Sequence, residues 1–179
     1  AIKRMPFKSL IFGLLAEDID IIAAGISPTE RREKAIGFST PYLEGDPLVA
    51  LYNNNIVINS FEDLKQKNIV VNMGYTADLF LSQIPDITLT KLGAPAEAIM
   101  ALQSGSVDAF VCAQSSLTKM LKTKSLQQLQ QFVIPETGDS YALAMSKHKL
   151  QFKSEINAAL KTMKKDGTLK KLEKKWDLS

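Results

Sequence analysis

One cysteine, one tryptophan and one histidine are all that the 179 residues hold of those types. A single cysteine rules out a disulfide within the chain and a cysteine-built zinc site. Cys112 ends the apolar run Val107–Cys112, the setting of a buried, inert thiol rather than a nucleophile. Long apolar runs are lacking as well. Stretches such as Leu10–Ala16 and Ile21–Ile26 fall far short of the ~20 residues that a membrane-spanning helix needs. The excess of positive charge is only +3, so composition leaves no electrostatic footprint for nucleic acid. Lysines do gather at positions 161, 164, 165, 170, 171, 174 and 175, but Trp176 is the only aromatic near them. They read as the solvated face of helices.

Several enzyme motifs are missing too. HExxH, GxSxG and GxGxxG do not occur, which removes the metal-hydrolase, α/β-hydrolase and dinucleotide readings. No metal and no cofactor is expected. His148, between Lys147 and Lys149, reads as a surface histidine. Glu17, Asp18 and Asp20 lie close together near an expected helix end, where two of the three face solvent. Glu17 is the nearest approach to a general acid.

What is present is a soluble, globular composition, 45% hydrophobic and 23% charged, long enough for one domain or two small lobes. Apolar positions at Phe7, Leu10, Ile11, Leu14 and Leu15 set a helical face over Phe7–Ala16. The isoleucine-rich run Ile19–Ala24 predicts a strand buried on both sides, and Pro28–Lys34 a turn with a short helical segment. Leu48–Tyr52 and Ile56–Ile58 read as strands broken by Asn53-Asn54-Asn55. Ser60 is the N-cap of a short helix ending near Lys67. Then follow a strand at Ile69–Asn72, a helix at Thr76–Ser82, a strand at Ile87–Lys91 and a helix at Ala96–Gln103, opened by Pro95 and stopped at Gly105. Strands at Val107–Cys112, Gln131–Ile134 and Tyr141–Ser146 and helices at Ser115–Leu121, Glu155–Lys165 and Thr168–Trp176 complete the pattern. Alternating strands and helices imply an α/β fold with a parallel or mixed sheet covered on both faces. Joints near Tyr52–Asn55 and Gly138–Ser140 are candidate crossings between lobes.

Two segments combine the groups that hold an anion. Gly25-Ile26-Ser27-Pro28-Thr29-Glu30-Arg31-Arg32 follows directly on a strand. The carboxyl end of a sheet is where open α/β folds place ligands. An arginine arriving one turn later can clamp a carboxylate through two parallel N–H donors, although a solvated pair of arginines has the same spacing. Met73-Gly74-Tyr75-Thr76-Ala77-Asp78 is again strand, glycine turn and helix start. It presents amide N–H groups and the positive end of a helix dipole, although most such turns are structural. It lacks the lysine and second glycine of a phosphate-binding loop.

Taken with Phe38-Ser39-Thr40-Pro41-Tyr42, Phe61-Glu62-Asp63-Leu64-Lys65, Val71–Thr76, Ala101-Leu102-Gln103-Ser104-Gly105-Ser106-Val107-Asp108-Ala109, Asp166-Gly167-Thr168 and Lys175-Trp176, the segment Asp20–Arg32 resembles the bacterial extracellular solute-binding proteins for polar amino acids. The resemblance covers essentially the whole chain. It implies a two-lobed periplasmic-binding-protein type II fold whose lobes close over a ligand like a hinged clamp. Lobe 1 would be residues 1–52 with 141–179, and lobe 2 residues 53–140. The strand, helix and strand that precede the Phe7 segment in that family have no counterpart here. Lobe 1 is therefore expected to be incomplete, with an exposed apolar patch or a swapped or edge-paired dimer at its open sheet edge.

Carried over position by position, the resemblance gives Arg32 to the ligand's α-carboxylate. Thr76 and the Gly74–Thr76 backbone, including Tyr75, bind the same group from the other lobe. The Gly25 carbonyl and Ser27 contact the α-amino group or carboxylate, and Phe7 packs against the ligand side chain. The acidic residue that pairs with the ammonium in that family is Ala113 here. Gln114 then stands in as a neutral acceptor, or the ligand lacks a free amine. The implied function is capture of a small carboxylate-bearing solute, an amino acid, outside the cytoplasmic membrane for an ABC permease, with a lipid anchor as one means of retention. Two alternatives share the fold: periplasmic cyclohexadienyl or arogenate dehydratases, and ligand-sensing modules of receptors.

Overall fold

A computed structural model describes residues 1–118, 120–122 and 126–178. The chain divides into two compact units, Ala1–Glu44 with Ser140–Ser179 and Gly45–Asp139. It passes from one unit to the other earlier than the asparagine cluster suggested. Leu48–Tyr52, expected in the first unit, is hydrogen-bonded on both sides within the second unit's sheet.

In the first unit a 3₁₀ turn at Phe7–Ser9 leads into α1 (Leu10–Leu15). Strand β1 (Ile21–Ile26), helix α2 (Glu30–Glu33), and strands β2 (Gly37–Phe38) and β3 (Leu43–Asp46) follow. After the second unit come β9 (Asp139–Met145), α6 (Leu150–Lys165) and α7 (Thr168–Lys175). Strand β9 is the centre of a four-stranded sheet: β1 and β2 pair with it antiparallel, and β3 pairs with it as well. The core is built from Leu10 and Leu14, one helical turn apart on α1, packed on Ile22, Ile26, Ile36, Phe38, Ala142 and Ala144.

Strand β1 departs from expectation. Ile22 and Ile26 are buried, but Ile21 is 41% exposed and Ala23 and Ala24 face solvent. Among the described residues β9 is its strand partner, and Ile22 and Ile26 pack with Leu10 and Leu14 of α1, so an isoleucine run that reads as doubly buried is covered on one side. Phe12 is 75% and Leu15 54% exposed on the outer side of α1. The basic C-terminal segment is two helices whose seven clustered lysines are all exposed, and Lys175 lies over the Trp176 ring at 5.5 Å.

The second unit holds a mixed five-stranded sheet. Its strands are β4 (Leu48–Tyr52), β5 (Asn68–Asn72), β6 (Thr88–Leu92), β7 (Ala109–Ala113) and β8 (Gln130–Val133), in the order β6-β5-β7-β4-β8. Strands β5, β6 and β7 run parallel, and β4 is antiparallel to β7 and β8. Helices α3 (Thr76–Leu81), α4 (Pro95–Gln103) and α5 (Gln114–Thr118) complete it. Alternation along the strands feeds two apolar clusters. Ile69, Val71, Ala109 and Val111 pack with Ala77 and Leu81 of α3 on one face. Val49, Leu51, Val70, Phe110 and Cys112 pack with Ala98, Leu102 and Leu117 on the other.

Three local expectations change. Ile56–Ile58 is not a strand: Asn53-Asn54-Asn55 forms a turn closed by the Ile56 amide on the Asn53 carbonyl, and Ile58 is pinned by the Tyr52 hydroxyl on its carbonyl at 3.1 Å. The Ser60 start yields only a 3₁₀ turn, Phe61–Leu64. The helix expected over Ser115–Leu121 is α5 followed by a 3₁₀ turn at Met120–Lys122, and Lys119 lies outside the described residues. Leu102 is fully buried between α4 and the sheet. Leu102→Ala should therefore cost about 2–5 kcal/mol of stability in chemical denaturation, whereas Met100→Ala on the exposed side of α4 should cost less than about 1 kcal/mol.

Candidate functional site

In the first unit the site is organised by the way β1 ends. Between the register pairs Ile22↔Ala144 and Ile26↔Ala142, four steps along β1 oppose two along β9. This bulge carries Gly25 at φ +59°, a left-handed conformation that a side chain would strain. The Tyr42 phenol hydrogen-bonds to the Gly25 backbone, and burial pushes that phenol's pKa up. Thr29 then caps α2 by accepting the Arg32 amide at 3.4 Å. That cap sets the helix so that Arg32 points inward. Its residue is 7% exposed, Nη1 donates to the Ser27 carbonyl at 2.8 Å, and its guanidinium carbon stands 5.8 Å from the centre of the Phe7 ring. Phe7, Ser27 and Arg32 are thus brought together, with Gly25 at the head of the same loop. Arg31, by contrast, is exposed.

In the second unit the turn after β5 is held shut by an acid. Gly74 is at φ +80°, and its amide donates to Asp78 Oδ2 at 2.8 Å. Asp78 Oδ1 accepts the Ser82 hydroxyl at 3.0 Å and pairs with Lys91 at 2.7 Å. Burial raises the Asp78 carboxyl, but the Gly74 amide, Lys91 and Ser82 together outweigh it and hold the pKa below the ordinary value. The expected open row of amides is therefore partly spent: Met73 N–H bonds the Leu92 carbonyl, Gly74 N–H bonds Asp78, and Tyr75 N–H bonds the Asn72 carbonyl. Tyr75 is half-buried, and burial raises its phenol.

Thr76 opens α3, and its hydroxyl donates to Asp139 Oδ2. A hydroxyl has one proton. With that proton on Asp139, the Thr76 oxygen meets any further group as an acceptor. Gln114, exposed at the start of α5, keeps its amide on the Pro47 carbonyl at 2.9 Å. Beside it the buried Asp46 accepts the Ser115 amide at 3.0 Å. Cys112 is buried, and its thiol is pushed up by burial and by the Asp46 charge, consistent with an inert thiol.

Sequence reading missed four polar residues that the structure buries here: Asp46, Asn72, Asp78 and Asp139. Asp78 carried a signal, since an acid four residues after a turn glycine can reach back to its amide. Asn72 carried one too, as a carboxamide closing the apolar run Ile69-Val70-Val71. Asp46 and Asp139 flank the two crossings of the chain, and pattern alone does not mark them. His148 is exposed, as is the Asp20 carboxylate, which pairs with Lys149. Among the described residues no cluster of metal-ligating side chains occurs, and no helix is long and apolar enough to cross a membrane.

Comparison with known proteins matches residues 1–179 to the bacterial extracellular solute-binding proteins, family 3, and the chain belongs to that family. It is 32% identical over 176 residues to the ABC transporter glutamine-binding protein GlnH of Bacillus subtilis (strain 168). That match covers 97% of the chain and 63% of the relative, so the chain spans less than two thirds of that relative's length. The arginine-binding extracellular protein ArtP of the same organism is 28% identical, with 98% of the chain and 69% of the relative covered. A crystal structure of the substrate binding protein of an amino acid ABC transporter superposes with TM-score 0.90 at 31% identity, over 100% of the chain and 80% of that structure. The two-lobed type II fold is thereby established for this chain.

The Asp78 network makes the second unit acid-sensitive. Its folded pKa lies below the unfolded one. The stability it contributes is therefore complete above about pH 5 and lost as pH falls through the folded value. Asp78→Asn should cost about 1–2 kcal/mol at pH 7. Denaturation series between pH 7 and pH 3 should show a shallower acid-side loss of stability in the variant.

Proposed function

We propose that this chain captures an amino acid through its α-carboxylate and α-ammonium outside the cytoplasmic membrane and hands it to an ABC permease, with no catalytic step. The observation that carries the reading is the buried Arg32, aimed by the Ser27 carbonyl and the Phe7 ring. A guanidinium keeps its charge at every physiological pH and offers a planar fork that fits a carboxylate. We assign Arg32 to the ligand's carboxylate; in the second unit the first-turn amides after Gly74 are donors suited to an anionic group. Thr76 with Asp139 supplies acceptors suited to an ammonium, which relieves Gln114 and Ala113 of that task. Gly25, Ser27, Phe7 and Tyr75 then shape and line the site. Binding acts by shifting an open–closed equilibrium.

Titration calorimetry of the chain with a panel of L-amino acids tests this. Some member of the panel should bind, and the same compound without its carboxylate should not. Arg32→Ala should weaken binding about 100-fold, the equivalent of losing about 3 kcal/mol of charge-assisted hydrogen bonding. Arg32→Lys should restore only part of the loss. Silence across the panel, or binding indifferent to Arg32→Ala, would refute the assignment.

A further inference from the structure

The C-terminal end of the first unit gathers positive charge out of proportion to the chain. Residues 161–178 hold seven lysines against Asp166, Glu173 and Asp177, a net +4, whereas the whole chain carries +3. All seven lysines are exposed. On α7, Lys170, Lys171, Lys174 and Lys175 recur at three- and four-residue spacing, which stacks them along one side of the helix. Leu172 and Trp176, four residues apart, lie along another side, and both are exposed, as is Leu178 just beyond. Lysines alone would serve solubility, and a single exposed leucine needs no explanation. The combination is different. An indole beside a row of amines suits a boundary, where the ring sits at the level of lipid headgroups and the lysine stems lie along apolar surface while their amines reach phosphates. Lys175 already stands over the Trp176 ring at 5.5 Å. The Trp176 amide is bonded to the Leu172 carbonyl at 3.0 Å, so ring and charge are fixed together at one end of the helix.

We propose that α7 and the residues that end it dock on an anionic phospholipid surface. Lys170, Lys171, Lys174 and Lys175 meet the headgroup phosphates, and Leu172, Trp176 and Leu178 enter the headgroup boundary. Charge complementarity selects the partner, since a zwitterionic lipid surface offers the lysines no net field. The contact is reversible: each lysine near an anionic surface strengthens partitioning about fivefold, and the apolar area of one short helix end is small. Such a contact keeps a protein that acts outside the cytoplasmic membrane close to that membrane. It is independent of which solute the chain binds, and it involves neither the Arg32 loop nor the Gly74 turn.

Trp176 is the only tryptophan, so its fluorescence reports on this helix end alone. Vesicles of equimolar phosphatidylglycerol and phosphatidylcholine should shift its emission to the blue and carry the chain upward in flotation. Vesicles of phosphatidylcholine alone should do neither. Added salt should release the protein, because the attraction is screened. Lys170→Gln together with Lys174→Gln should weaken partitioning about 30-fold while leaving Lys175 on the indole. This variant should melt with the parent, as exposed substitutions do. Trp176→Ser, followed by flotation, should weaken partitioning at least about fivefold. Absence of binding to the anionic vesicles overturns the proposal, as does equal partitioning onto neutral ones or partitioning that survives the double lysine substitution. Binding to poly-L-glutamate as tight as to the anionic vesicles, with the emission unmoved, overturns it too and marks an acidic protein surface as the partner.

Discussion

Arginine cannot shed its proton to ease burial, so a fold that takes Arg32 out of water must surround it with groups that tolerate a permanent cation. Much of the first unit's local structure follows from that constraint. The bulge in β1 turns the strand through Gly25, which alone accepts φ +59° without strain. The turn that follows leaves the Ser27 carbonyl where Nη1 reaches it at 2.8 Å. Thr29 begins a helix only one turn long, enough to swing Arg32 inward while Arg31 stays outside. The negative face of the Phe7 ring lies against the same guanidinium. A lysine could occupy the same volume, but it would offer a point charge rather than a planar fork.

The second unit solves a similar problem with the opposite charge. Gly74 turns the chain out of β5, and Asp78 folds back from α3 onto its amide, much as Arg32 folds back onto a carbonyl of its own loop. Asp78 is kept ionised by the amide, Lys91 and Ser82 acting together against the cost of burial. Removing any one of the three would shift that balance toward the neutral acid. The turn is thus tied at its glycine by an acid from the following helix, which is itself anchored by Ser82 and Lys91.

How much of this was legible in the sequence depends on how local the cause was. Pro95 and Glu97 fix the start of α4 from within four residues, and the expectation there agrees with the structure to within a residue. The strand over residues 69–72 and the helix from Thr76 were equally plain, because glycine punctuates them. The two segments proposed to hold a carboxylate stood out for the same reason. Covering of faces was not legible. Ile19–Ala24 has the composition of a doubly buried strand, but burial depends on what lies across the sheet, and for Ile21 that is solvent. Nor were the short β2 and β3, whose pairing with β9 joins residues about a hundred positions apart in sequence. Ile56–Ile58 had strand residues, but the preceding strand β4 is already flanked by β7 and β8. Thr76 was singled out by motif, but its hydroxyl's partner, Asp139, 63 residues away, could not be read from the local sequence.

The buried charges are distributed unevenly between the two units. Among the described residues, Arg32 is the buried charged side chain of the first unit, whereas those of the second are Asp46, Asp78 and Asp139. Buried ions are costly and are tolerated where polar groups are held against them. In each unit those groups come from that unit's own chain: the Ser27 carbonyl and the Phe7 ring contact Arg32, the Ser115 amide reaches Asp46, the Thr76 hydroxyl reaches Asp139, and the Gly74 amide, the Ser82 hydroxyl and Lys91 hold Asp78. The cause of each contact is a turn or cap within a few residues of the charge for Arg32 and Asp78, and a pairing distant in sequence for Asp46 and Asp139, which is why the local sequence carried a signal for the first two and none for the last two.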